Sequence, residues 1–160
     1  MAQDSKTLAL DPHERKILHT LQVDGRISNR ELAERVGLSP SPCWRRLRDL
    51  EESQVIRQYT AILDADRLGF TVCGFAHVSL ENHHAETVAQ FDAAIEKWPE
   101  ILECYMISGD YDYMLKIVVA DMAAYEALLS TRLLQVPAIR AVNTTFVLRA
   151  RKYTTVLPLD

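Results

Sequence analysis

Little in this 160-residue chain is set aside for the chemistry of metals, phosphates or disulfides. Cysteine occurs three times, at Cys43, Cys73 and Cys104. The number is odd, no pair has metal-ligand spacing and each lies in an apolar stretch, so all three are expected as reduced core residues. With only 5 glycines there is no Gly-rich phosphate loop, and no nucleophile elbow or zinc motif is present. No apolar run approaches the length needed to span a bilayer, and Met1 to Leu10 lacks the apolar core of a signal peptide. A cytoplasmic protein with no membrane partner, no metal and no cofactor is expected. Neither sign of charge dominates: the net charge is −4, which excludes a protein coated with positive charge and confines any nucleic-acid binding to a local patch.

What is present is the balance of a folding chain, 48% hydrophobic and 25% charged. Charge is unevenly shared. Residues 1–60 hold 10 Lys and Arg against 9 Asp and Glu, whereas residues 61–160 hold 8 against 13, so only the first part is a plausible polyanion binder.

That first part punctuates itself into three short helices. Asp11-Pro12-His13-Glu14 supplies an N-cap, a proline at the first helical position and a capping-box glutamate, followed by Ile17, Leu18 and Leu21 on one face. Asp24-Gly25 is expected to end it through a left-handed glycine. Ser28-Asn29-Arg30-Glu31 is a second capping box, with Leu32, Ala33 and Val36 as its apolar stripe before Gly37. The third helix starts at Ser39-Pro40 or Ser41-Pro42, the repeat leaving both open.

On the third helix Cys43, Leu47 and Leu50 share a buried arc, with Ser41, Arg45 and Arg48 opposite and Trp44 on a flank. Two guanidinium groups near a helix start suit base-edge recognition, because arginine pairs bidentately with guanine while serine and the first-turn amides hold phosphate. Amphipathic helices often carry outward arginines, and these could simply pair with Asp49, Glu51 and Glu52. Three short helices, a turn glycine and the Cys-Trp-Arg-Arg-Leu-Arg cluster together favour a helix-turn-helix. The candidate DNA contacts are Asn29, Ser39, Ser41, Trp44, Arg45, Arg46, Arg48 and Arg57, the last on an extended, wing-like segment from Val55 to Ile62.

The expected division is a DNA-binding head over 1–62, a polar linker over 63–69 and a second domain over 70–160. In the second domain Phe70–Leu80 reads as a strand around Val72, Phe75, His77 and Val78, followed by a helix carrying Val88, Phe91, Ile95 and Trp98 to Pro99. Ile101–Ser108 and Tyr111–Val119 read as strands joined by a Gly109-Asp110 hairpin. A helix capped by Asp121 carries Met122, Tyr125, Leu129 and Leu133, and Ile139–Leu148 is a last strand. The fold class is therefore α+β, a winged helix-turn-helix followed by a ferredoxin-like βαββαβ domain. Its sheet would keep one face for a second subunit, and a homodimer is expected.

The strings SNRELAERVGLSPSPCWRRLRDLEESQVIRQYTAIL, from Ser28, and SGDYDYMLKIVVADMAAYEALL, from Ser108, at this spacing resemble the Lrp/AsnC family of feast/famine regulators. The resemblance runs from about Leu10 to Tyr153. It implies a dimer that assembles into tetramers, octamers or hexadecamers, wraps or bends double-stranded DNA, and responds to an amino acid or related metabolite. It places the effector between dimers, at the turn Ser108-Gly109-Asp110-Tyr111-Asp112-Tyr113. An amino acid needs an acceptor for its ammonium and N–H donors for its carboxylate, and this turn offers Asp110, Asp112 and backbone amides. A plain solubilising hairpin is the bland alternative. Met106, Leu102 and Thr144 are further candidates from a guessed strand pairing.

Two readings compete. An enzyme finds few parts: His83-His84 lacks a third metal ligand, His77 on a strand more often packs than reacts, and Asp110 with Asp112 has no accompanying base or nucleophile. A DNA-compacting architectural protein without an effector would show little sequence preference and a steep salt dependence.

Overall fold

The computed structural model describes residues 9–159 and separates them into two compact units. One comprises the chain to Ile62 together with residues from Lys152 onward; the other runs from Leu63 to Arg151. The final stretch, expected in the second domain, thus groups with the head, and residues 63–69, expected as a linker, group with the second unit. Most of Met1 to Leu10, read above for a signal peptide, lies outside the described residues.

The head contains α1 (Pro12–Val23), α2 (Asn29–Val36) and α3 (Pro40–Glu52). Both capping boxes form: Asp11 accepts from the His13 and Glu14 amides, Ser28 accepts from the Glu31 amide, and each N3 glutamate reaches back to its cap residue. Gly37 ends α2 at φ 72°, a left-handed conformation that favours glycine. Gly25 does not do the same for α1, whose C-cap is Asp24 at φ −138°. Ser39 and Pro40 prove to be the start of α3, although the Ser39 hydroxyl makes no cap hydrogen bond. Ile17, Leu18, Leu32, Ala33, Val36, Cys43 and Leu50 form the core of the head, with Leu47 partly buried against it. No strand is assigned between Glu52 and Asp66, so the wing is an extended run without ladder pairing.

The second unit has β1 (Val72–Leu80), α4 (Ala85–Ile95), β2 (Ile101–Met106), β3 (Tyr113–Val119), α5 (Met122–Thr131) and β4 (Ile139–Phe146). All pairings are antiparallel in the order β2-β3-β1-β4. Ala76, Val78, Leu80, Leu115 and Ile117 face Phe91 of α4 and Tyr125 and Leu128 of α5, so both helices cover one face of the sheet.

The four residues that marked β1 in the sequence divide between its two faces, Val72 and Val78 on the side of the core and Phe75 and His77 on the other. Phe75 and His77 point to the uncovered side, while Ala76, Val78 and Leu80 enter the core beneath the helices. Thr144 and Phe146 side chains lie 3.1 and 3.2 Å from where a Gly74 Cβ would sit, leaving little room for one. Of the apolar stripe expected on α5, Tyr125 and Leu133 are buried and Leu129 packs on the core, joined by Leu128, whereas Met122 is 51% exposed. Only Cys43 is a core cysteine; Cys73 is half-buried and Cys104 is exposed.

Candidate nucleic-acid interface and effector turn

The geometry of α3 sorts its candidates into two groups. Ser41, Trp44, Arg45 and Arg48 are exposed, Trp44 by 52%. The Arg48 guanidinium lies 5.6 Å from the Trp44 ring centroid and pairs with Glu52 one turn on. Arg45 makes no hydrogen bond or ion pair among the described residues, so its five donors face solvent. Ser39 is exposed beside the first turn of α3, and Arg57 is exposed on the extended run.

Arg46 and Asn29 are turned inward instead. Arg46 pairs with Asp11 at the cap of α1 and lies 3.7 Å from the Glu14 carboxylate. The Asp11 carboxyl is held below its ordinary value by the Glu14 amide and by Arg46. Asn29 donates from Nδ2 to the Pro40 carbonyl at 3.1 Å, tying the starts of α2 and α3, and its Oδ1 is buried without a partner. Both residues, expected at the DNA, brace the helices that present it.

The loop between β2 and β3 is longer than the two-residue hairpin expected. It spans Ile107 to Asp112 and closes with the Ile107 amide donating to the Asp112 carbonyl at 3.0 Å. Gly109 takes φ 118°, which few side-chain-bearing residues adopt. Ser108, Gly109 and Asp110 are exposed, and neither their amides nor the Asp110 carboxylate finds a partner among the described residues.

Asp112 is committed to the fold. Its carboxylate accepts from the Leu80 amide at 2.8 Å and pairs with His83 Nε2 at 2.7 Å. These partners, His83 first, hold its carboxyl below the ordinary range, with Arg140 adding a smaller attraction. Arg140 went unrecognised in the sequence and His83 was weighed there only as a metal ligand, since only strand pairing brings the start of α4 and the start of β4 beside this turn. Tyr111 lies 5.2 Å from the His77 ring on the uncovered face of the sheet.

The remaining candidates are dispersed. Tyr113 is buried against Phe91 at 4.5 Å between ring centroids. Thr144 lies under α5, where the Tyr125 hydroxyl donates to its Oγ1 at 2.5 Å. Leu102 is the unpaired residue of a bulge in β2 and lines a separate apolar groove of 460 Å³ with Leu63, Leu68, Phe70 and Pro99. At about 3.3 Å per residue it is roughly 20 Å from the turn. Met106, 76% exposed at the end of β2, is the one of the three beside the loop.

A helix-turn-helix with an arginine-bearing third helix, joined to a ferredoxin-like unit, defines a DNA-binding transcription regulator with a separate ligand-binding domain. Known sequences bear this out. The profile described as "Winged helix-turn-helix DNA-binding" matches residues 10–57, and "Lrp/AsnC ligand binding domain" matches residues 73–157. The chain belongs to the Lrp/AsnC family of transcriptional regulators. It is 40% identical to the transcriptional regulator AzlB of Bacillus subtilis over 96% of this chain and 98% of that one. It is 45% identical to the leucine-responsive regulatory protein of Salmonella typhimurium, over 89% of this chain and 87% of the relative. A transcriptional regulator of Neisseria meningitidis, solved as a complex with L-Met, superposes with a TM-score of 0.92 at 39% identity, covering 95% and 98% of the two chains. These relatives are regulators, which sets the enzyme reading aside. Among the described residues no helix is long and apolar enough to cross a membrane.

Proposed function

We propose that this chain is a cytoplasmic, sequence-specific regulator of genes for amino-acid metabolism or transport, and that an amino acid or related metabolite tunes its grip on DNA. The single observation that carries the DNA half is the α3 face of Ser41, Trp44, Arg45 and Arg48, with Arg45 unengaged. An unpaired guanidinium on a recognition helix reaches base edges without first breaking a protein contact.

The effector half is supported by the loop after β2. Its free amides match an α-carboxylate and the Asp110 carboxylate matches an ammonium. The Neisseria relative's L-Met complex supports this ligand class. An open loop encloses a small molecule only if another surface covers it, which suits a site between dimers. The dimers form through the uncovered sheet face around Phe75, His77 and Val118, and assemble further into tetramers, octamers or larger species.

The deciding experiment is a mobility shift on DNA upstream of the protein's own gene, with random DNA as competitor and each of the twenty amino acids in turn. Preference for the upstream DNA that one amino acid alters is expected. Equal binding to random DNA with a steep salt slope would replace this reading with the architectural one.

A further inference from the structure

The head is built from both ends of the described chain, and its final segment is held by specific contacts. The Gln22 side chain near the end of α1 donates from Nε2 to the Leu157 carbonyl at 3.2 Å and accepts from the Leu157 amide at 2.6 Å. One amide side chain thus satisfies both backbone groups of a residue 135 positions away, as a neighbouring strand would. Two residues on, Leu159 packs against the core of the head. Leu157 and Leu159 line a groove of 270 Å³ with Leu10, Leu18, Val55 and Ile56. Pro158 keeps Leu157 extended and prevents the segment from coiling into a helix.

The sequence of this segment belongs elsewhere. The ligand-binding profile extends to residue 157, whereas residues from Lys152 onward are part of the head. The two units are therefore joined twice, between Ile62 and Leu63 and again between Arg151 and Lys152. From Phe146, where β4 ends, to Lys152 is six residues, which reach at most about 20 Å. Any influence of β4 on the segment from Lys152 onward passes along this short covalent link.

We propose that residues 152–159 are a coupling strap. Seated along α1 they complete the DNA-binding head, and unseated they loosen it, so that the ligand-binding unit sets the head's affinity for DNA through its last strand. The ligand-driven part rests on the effector reading above. The seating of the strap and its effect on DNA binding do not.

The test compares the full chain with a chain ended after Arg151 and with Gln22→Ala, which keeps every residue of the strap and removes its two hydrogen bonds. Amide exchange is followed by mass spectrometry without DNA, and DNA affinity is then measured on the upstream probe. In both variants the amides of α1 and of residues 55–59 should exchange about tenfold faster, with the sheet unaffected. Affinity should fall about tenfold, and an amino acid that alters binding by the full chain should lose its effect. Unchanged exchange in α1 would overturn the strap, as would faster exchange with full DNA affinity. Should the shortened chain fail to fold, Gln22→Ala decides the matter alone. If the full chain answers to no amino acid, the effector reading fails while the exchange and affinity comparisons still decide the strap.

Discussion

Arg46 of α3 and Asp11 at the cap of α1 form an ion pair across 35 positions of sequence. The carboxylate that caps one helix also anchors the helix expected to enter the DNA groove, because its two oxygens are divided between tasks: Oδ1 takes the first-turn amides and Oδ2 takes the guanidinium. The orientation of α3 is therefore linked to the integrity of the cap on α1.

Arg46→Ala should lower the thermal midpoint of the head and weaken binding to specific and random DNA in equal proportion. Arg46→Lys should recover part of both, because the ammonium restores charge but not the planar fork. Melting curves and competition binding on the two variants check this. Loss of sequence discrimination alone would instead assign Arg46 to the DNA.

Arg45→Ala should cost about 1–3 kcal/mol on the preferred site and little on random DNA. Arg57→Ala should weaken both alike and reduce the slope of affinity against salt by about one contact. Arg48 is shared with Glu52, so Glu52→Ala should free the guanidinium and tighten binding modestly. Titrations on matched and scrambled DNA at two salt concentrations separate these outcomes.

The Asp112 carboxyl titrates below its ordinary value because His83 and the Leu80 amide favour its charged form. A depressed pKa in the folded state means the contribution is complete above the unfolded value of about 3.9 and disappears as pH falls through the lower folded value. Asp112→Ala should cost about 1 kcal/mol at neutral pH through the lost Leu80 hydrogen bond and should flatten the acid limb of stability. Denaturant unfolding from pH 6 down to about 2 measures it. An acid limb identical to that of the parent would refute the assignment.

Phe91 is fully buried between the sheet and α4 and stacks on Tyr113. Phe91→Ala should destabilise the second unit by about 3–5 kcal/mol, a large share of the roughly 5–15 kcal/mol typical of a domain. Calorimetry should show that unit's transition moving down in temperature while the helices of the head keep their own.

Much of this fold is written in contacts between residues a few positions apart, and those are legible in the chain itself. Asp11 and Ser28 with their glutamates marked two helix starts, Gly37 marked an end, and Cys43 and Leu50 faced the core as their spacing required. The order of strands and helices in the second unit, and hence its βαββαβ arrangement, was equally legible from hydrophobic period and turn residues. Other features waited on partners distant in sequence. Arg46 and Asn29 turned inward because Asp11 and the Pro40 carbonyl became their neighbours only when the helices packed. Packing also chose the buried face of β1, because apolar residues lie on both of its sides and it is Ala76, Val78 and Leu80 that meet Phe91, Tyr125 and Leu128 in the core. Asp112 was drawn into the scaffold by Leu80 and His83, leaving Asp110 as the free carboxylate of the loop. Finally, the segment after Arg151 was carried to the head, where a single glutamine side chain offered the donor and acceptor that its backbone lacked.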